Sequence, residues 1–245
     1  MTARRGVTEV GKAADRALSD GIAAVDEFFD GVFAPLDSWA PRLAAQLQEQ
    51  LSDGPLSGHQ LAAIVEPEAH AILDVADRPL YGAGYCASEA VVSEGNPLAW
   101  WQGPERSLLA SSTFGPGQAA IDLVRLEWYR VPQATGERHI AGPFVDYLCS
   151  NEITITSSIP VLLDGRFSGV VCVDVLVSSL EGVLLPSVAE LPEATLVNTA
   201  GRVVVSSDPG YETGDRFAGG DIASLDDSKR VARSARYPFA LVAPR

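Results

Sequence analysis

Two runs of strand-forming residues joined by a single Asp-Gly pair constrain the fold of this chain more than any other sequence feature. In the first run, residues 152–163, isoleucines are separated by threonines and serines at the period of a half-buried strand. The second run, residues 167–175, is almost entirely apolar. Because Asp164-Gly165 between two such runs is a strong signal for a tight turn, the sequence predicts a long antiparallel hairpin.

Shorter strand-type segments lie on both sides of this hairpin. Residues 81–87 and 99–102 precede it, and residues 239–242 lie near the end of the chain. A second predicted hairpin joins residues 194–198 to residues 201–206, and a short predicted helix at residues 178–190 precedes it. The sequence therefore predicts about five or six antiparallel strands.

The first 75 residues have helical rather than strand periodicity. Leu18, Ile22, Val25, Phe29 and Val32 recur at helical spacing, and mostly charged positions lie on the other face. Pro35 and Asp37-Ser38 predict that this first helix breaks, and that a second helix covers residues 38–50. A third helix is expected from about residue 57 to residue 73, with a kink or restart at its proline.

The predicted fold class follows from this order of elements. It is α+β, with an N-terminal helical region at residues 1–75 and a ligand-binding domain with a PAS-like antiparallel sheet at residues 76–245.

Composition and charge exclude several classes of function. The 245-residue chain has a formal net charge of −14, so nucleic acid and anionic membrane surfaces are unlikely partners. Its three cysteines and three histidines lack metal-binding spacing, and we expect neither a metal nor a cofactor. No apolar segment is long enough to span a bilayer and no signal peptide is evident, so a complete chain of this sequence is expected to be soluble and cytoplasmic.

Aromatic residues and isolated carboxylates alternate between residues 127 and 174. A carboxylate such as Asp174 has little reason to lie inside an apolar strand unless it is paired, because burying an unpaired charge costs several kcal/mol. Asp146 and Asp174 facing one cavity would be satisfied by a cationic ligand, and Trp128, Tyr129 and Phe144 would form an aromatic cage around it. Without further information, the residues favour a simpler alternative in which Asp174 caps the following helix and the rings are core.

The segments Gly165-Arg166-Phe167-Ser168-Gly169 to Asp174 and Asn198-Thr199-Ala200-Gly201, together with the long N-terminal helix, resemble the Cache sensor domains of bacterial signalling proteins. Members of that family that bind amino acids or amines have an Arg two positions before a Trp-Tyr pair, then an aromatic-x-Asp sequence and a final strand Asp. Trp128-Tyr129, Phe144 with Asp146, and Asp174 match these positions. The resemblance implies that the two aspartates receive the ammonium of the ligand.

The Arg of this motif is displaced in the chain. Leu126 stands at its position and Arg125 lies one residue earlier, which puts recognition of a ligand carboxylate in doubt. Arg125 and His139 are further candidate ligand-binding residues. One of the two tryptophans Trp100 and Trp101 could face the ligand, but the core is the favoured location for both.

The function expected from these features is that of a non-catalytic sensor for a small amine, amino acid or related metabolite. It would signal through a homodimer or a separate partner protein. The alternatives are a structural or protein-interaction module with a vestigial pocket, and an enzyme using paired carboxylates. Catalysis is the weakest of these, because the sequence has neither a nucleophile elbow nor a histidine paired with a nucleophile.

Overall fold

The computed structural model describes residues 3–75, 79–109, 122–147, 151–189, 191–225 and 229–244. Over these residues the chain forms two compact units. The first contains Met1–Asp30, Gly142–Phe144 and Val177–Arg245, and the second contains Gly31–Ala141 and Val145–Leu176. No helix among the described residues combines the length and apolar character that crossing a bilayer requires.

A single helix, α1 (Ala3–Gln50), replaces the two helices predicted for this part of the chain. The predicted break at Pro35 and Asp37-Ser38 is therefore wrong. Pro35 removes only its own backbone donor, and the Ser38 hydroxyl donates to the carbonyl of Ala34 one turn earlier instead of capping a new helix. Burial of apolar residues on both sides of the proline maintains the helix, and in the second unit these residues are Val32, Phe33, Leu36, Trp39, Leu43 and Leu47.

The next helix begins where the sequence predicts it. A short 3-10 helix (Leu51–Asp53) and strand β1 (Leu56–Ser57) lead into α2 (Gly58–Leu73). The Ser57 hydroxyl accepts a hydrogen bond from the backbone N–H of Gln60, and the Gln60 side-chain oxygen accepts one from the backbone N–H of Ser57. These two bonds form a capping box. Pro67 lies inside α2 without ending it.

Most of a six-stranded sheet lies in the second unit. Its strands in spatial order are β5 (Ser107–Leu108), β4 (Leu98–Gln102), β2 (Leu80–Ala87), β8 (Arg166–Leu176), β7 (Ile153–Leu163) and β6 (His139–Val145). Helix α3 (Glu127–Thr135) precedes β6 and packs against β7 and β8. Strand β3 (Val92–Glu94) pairs in parallel with β1 outside this sheet.

The predicted long hairpin forms the centre of that sheet. Asp164 and Gly165 have φ values of 48° and 74°, the left-handed conformation that a tight hairpin turn needs. Strands β7 and β8 pair in antiparallel register from Thr154 opposite Leu176 to Leu163 opposite Arg166. Because successive strand residues face opposite sides, Val170, Cys172 and Asp174 share one face of the sheet, which we call the site face.

The first unit contains a four-stranded antiparallel sheet and helix α4 (Val177–Ser187). Its strand order is β10 (Val203–Ser206), β9 (Thr195–Asn198), β12 (Phe239–Pro244) and β11 (Lys229–Arg233). The predicted 194–206 hairpin is confirmed, whereas the sequence did not predict β11. The N-terminal part of α1 packs here, with the Phe29 ring stacked on Phe239 at a centroid distance of 5.0 Å. A 3-10 helix (Ile222–Ser224) precedes β11.

Gly169 and Gly182 offer a matched pair of stability tests. Gly169 has φ +150°, and a Cβ there would lie 2.2 Å from the carbonyl oxygen of Cys86 on the neighbouring strand. We expect Gly169→Ala to destabilise the protein by roughly 2–4 kcal/mol, because a backbone atom cannot move aside. A Cβ at Gly182, in α4, meets nothing within 4 Å, so Gly182→Ala is expected to stabilise by about 0.5–1 kcal/mol. Urea unfolding measures both, and equal effects would contradict this account of the sheet.

Candidate functional site

Asp174 is a buried carboxyl group on the site face of the central sheet. Gly82 of β2 and Thr156 of β7 are its cross-strand neighbours. The Thr156 hydroxyl donates to Asp174 Oδ1 over 2.6 Å, and Asp174 is only 6% exposed. Loss of hydration raises the pKa of Asp174 to about 8; the Thr156 hydrogen bond opposes this shift, and the charge of Asp146 adds to it. The unliganded protein therefore holds this carboxyl mostly protonated at neutral pH.

Asp146 lies immediately after β6 rather than within a strand. Its amide donates to the Glu152 carbonyl over 2.9 Å, and its carbonyl accepts from the Asn151 amide over 2.8 Å. These bonds join Asp146 to the two residues that precede β7, and Asp146 is as buried as Asp174, at 6% exposure. The charge of Asp146 contributes to the raised pKa of Asp174. That the two acids line one ligand site stays a prediction.

The Trp128-Tyr129 pair lies on α3, a helix that the sequence did not predict. Tyr129 is buried, and its ring meets the Phe167 ring edge to face at 5.3 Å. Trp128 is half-buried and meets Tyr129 edge to face at 6.3 Å. The buried members of this apolar group, which we call the aromatic cluster, are Cys86, Leu98, Trp100, Leu109, Tyr129, Val170 and Cys172. The cluster lies on the same sheet face as Asp174, because Val170 and Cys172 of β8 belong to it and Tyr129 of α3 packs with them.

The first residue of α3 is joined to the first residue of β6. Glu127 Oε1 and His139 Nε2 are 3.0 Å apart, and this contact with His139 lowers the pKa of Glu127. The side chain of His139 is 22% exposed. His139 therefore contacts the base of α3, which carries Trp128 and Tyr129. Its role as a ligand-binding residue stays a prediction.

Arg125 lies at the surface of the molecule. Its side chain is 84% exposed and forms an ion pair with Asp122 over 2.8 Å. Residues Leu123–Arg125 form a 3-10 helix that leads directly into α3, so the alternating faces of a strand do not apply here. Leu126 instead packs against the aromatic cluster. A ligand-binding role for Arg125 stays a prediction, and this arrangement adds no support to it.

Phe144 belongs to a different unit from the other candidates. It lies on β6 within Gly142–Phe144, which groups with the first unit, and its side chain is half-buried. The Asn198 side chain donates to the carbonyl of Gly142 over 2.8 Å within that unit. The second unit holds Trp128, Tyr129, Asp146 and Asp174.

The candidate site residues offer carboxyl groups and aromatic rings. Among the described residues, no group of three or more histidines, cysteines or acids is arranged to hold a metal ion. Cys86 and Cys172 are free, buried thiols whose pKa values burial raises; Cys149 lies outside the described residues. Such a site can compensate a desolvated organic cation.

Sequence reasoning missed the residue that fixes the Asp174 carboxyl group. Thr156 belongs to a run of buried hydroxyl-bearing residues at 154, 156, 157 and 158 on β7. A strand rich in hydroxyls beside a strand containing Asp is a detectable signal. The hydrogen-bonded pair, however, depends on the register between β7 and β8.

Comparisons with known proteins identify the fold. No protein-family model matches the sequence, and no curated protein matches it. Among solved structures, the ligand-binding domain of the Pseudomonas aeruginosa PAO1 amino acid chemoreceptor PctC, in complex with GABA, is 16% identical. The alignment covers 97% of this chain and all of that one, with a TM-score of 0.61.

Two further structures show the same likeness. The ligand-binding domain of the Campylobacter jejuni chemoreceptor Tlp3, in complex with L-valine, is 11% identical over 98% of this chain and 93% of that one, with a TM-score of 0.58. The extracellular domain of a protein described as a histidine kinase, soHK1S-Z6, is 13% identical over 99% and 96%, with a TM-score of 0.60. The chain therefore has the α+β fold of Cache-like sensor domains, as its sequence predicted.

Proposed function

We propose that this protein is a small-molecule sensor domain that binds a small amine, an amino acid or a related metabolite through Asp146 and Asp174. The observation that carries the proposal is the buried carboxyl group of Asp174, whose pKa is raised by burial and further by the charge of Asp146, which is itself buried. Residues 76–245 would form the ligand-binding domain. Residues 1–75 would form the N-terminal helical region, and two copies would associate through its first helix.

The energetics of the carboxyl pair support this choice of ligand. Burial raises the pKa of Asp174 to about 8 and the charge of Asp146 adds to this shift, so the carboxyl group of Asp174 favours its protonated form. An ammonium group supplies a positive charge and several hydrogen-bond donors, and it can replace that proton. The rings of Trp128 and Tyr129 would add a cation–π attraction of about 0.5–2 kcal/mol for each ring that faces the cation.

The similar structures support the same class of ligand. PctC is an amino acid chemoreceptor in complex with GABA, and Tlp3 is in complex with L-valine. Both ligands carry an ammonium group, which is the part that a carboxylate pair would recognise. We therefore propose a non-catalytic role in signal transduction. Its output would pass through a homodimer or a separate partner protein, and a light-scattering mass would test the dimer.

Cellular location stays a prediction. The sequence predicts a cytoplasmic protein, whereas the similar soHK1S-Z6 domain is described as extracellular.

A thermal-shift screen tests the proposed function. Primary amines, diamines and amino acids are expected to raise the melting temperature, because ligands that bind only the folded state stabilise it. At a hundredfold excess over Kd the gain is about 2.7 kcal/mol, which corresponds to roughly 5–10 °C for a chain of this length. Small carboxylates without an amine serve as the matched control and should have no effect.

The outcome of this screen separates the alternatives. A protein that no amine or amino acid stabilises would favour the structural module with a vestigial pocket. Since Leu126 stands where the amino-acid-binding relatives have Arg, simple amines are expected to bind at least as tightly as the matching α-amino acids. Clear preference for the α-amino acid would show that another residue recognises the carboxylate.

A further inference from the structure

Trp100 lies on the site face of the sheet, whereas its neighbour Trp101 lies on the opposite face. Trp100 pairs with Gly84, and Gly84 pairs in turn with Cys172 of β8. Cys172 and Asp174 share the site face. Trp101 is opposite Ala83, and its ring meets His70 of α2 edge to face at 5.8 Å. The two neighbouring tryptophans of β4 therefore face opposite sides of the sheet.

Two glycines of β2 make room for the Trp100 indole. A Cβ at Gly84 would lie 2.9 Å from Cε3 of Trp100, and a Cβ at Gly82 would lie 2.7 Å from its Cζ2. The ring therefore extends across β2 from Gly84 to Gly82. Because Gly82 is directly opposite Asp174, the Nε1 end of the indole reaches the cross-strand neighbour of the buried acid.

Gln102 fixes the orientation of this ring. The Trp100 Nε1–H donates to Gln102 Oε1 over 3.3 Å, and Gln102 also pairs with Gly82 across the strands. The indole N–H therefore has its hydrogen-bond acceptor within β4. The π face of an indole in this position would attract a cation held by Asp174.

We propose that the Trp100 indole is the aromatic wall beside Asp174 and selects organic ammonium ions that carry an alkyl chain. The inference rests on the proposed amine-binding function and deepens it. Asp174 would take the charged nitrogen, while the indole contacts the adjacent CH₂ groups, which share the positive charge of an alkylammonium ion. Inorganic cations such as NH₄⁺ and K⁺ lack these groups and are more strongly hydrated, so they would gain less from contact with the ring.

Calorimetric titration with n-butylammonium chloride tests the assignment. Trp100→Leu is expected to weaken binding at least about ten-fold, and Trp100→Phe by less, because phenylalanine retains a π face. Gly82→Ala keeps the tryptophan but displaces its ring, and should weaken binding as well. Trp101→Leu is the matched control, since Trp101 is equally buried on the same strand but faces α2, and its Kd should stay within two-fold of wild type.

The outcomes distinguish this inference from the proposed function. If the wild type binds n-butylammonium and Trp100→Leu binds it as tightly, the aromatic wall is refuted while amine binding stands. Equal weakening by Trp100→Leu and Trp101→Leu also refutes it, because the loss would then follow from general damage to β4. A wild type that binds no amine refutes both. Preference for n-butylammonium over NH₄⁺ that disappears in Trp100→Leu supports the assignment.

Discussion

Asp174→Ala is expected to abolish stabilisation by amines and to lower their affinity at least roughly a hundred-fold. The ammonium would lose a charge-assisted hydrogen bond worth about 1.5–3 kcal/mol, together with half of the negative charge that balances it. The remaining carboxyl group of Asp146 would have to compensate a desolvated cation alone. Thermal shift and calorimetric titration with the tightest amine from the screen measure the loss.

Two control variants separate this loss from other effects. Asp174→Asn retains a side-chain oxygen for the Thr156 hydroxyl, so the fold is expected to persist while the negative charge disappears; binding should be lost as in Asp174→Ala. Asp53→Ala removes one exposed carboxylate of the same unit and should leave binding unchanged. Amine binding at wild-type affinity in Asp174→Asn would contradict the role of the charge. Asp146→Ala is expected to weaken binding in the same direction.

The antiparallel elements were predictable because their signals are local. The Asp164-Gly165 turn needs positive φ values that these residue types accept, and the alternation in β7 follows from period two alone. The helix over residues 3–50 was predicted as two pieces because propensity rules treat Pro35 as a break. Tertiary burial of Leu36, Trp39 and Leu43 outweighs one lost hydrogen bond. Strand β11 escaped prediction because residues 229–233 carry three basic side chains.

The site was predictable only in part, for a physical reason. Asp174 is conspicuous because a carboxylate interrupts an apolar strand. Asp146 and Trp128 emerged from the resemblance to Cache domains. The contributions of Thr156, Gly82 and Trp100 depend on which residues lie opposite each other across β7, β8, β2 and β4. No local pattern specifies that register, so the structure was needed to connect them to Asp174.

The affinity for amines is expected to increase with pH up to about 8. The pKa of Asp174 is raised to about 8 in the unliganded protein, so below that pH an ammonium ion must displace a proton to meet a carboxylate. Affinity should therefore rise about nine-fold from pH 6 to pH 7 and about five-fold from pH 7 to pH 8, level off, and fall above about pH 10 as the amine loses its own charge. Titration across this range measures the slope, and the slope should persist in His139→Gln.

In the absence of ligand, the free energy of unfolding should fall as pH rises over part of the same range, in contrast to the amine affinity, which rises. The unfolded chain releases the Asp174 proton near pH 3.8, whereas the folded protein retains it to about pH 8. Between these values the folded state binds more protons, so this group makes the free energy of unfolding fall by up to about 1.4 kcal/mol per pH unit as pH rises. In Asp174→Asn this contribution should vanish, and urea unfolding at pH 5, 6, 7 and 8 measures the difference. Parallel pH profiles for the two proteins would show that Asp174 is ionised before any ligand binds, and amine affinity would then be independent of pH between 6 and 8.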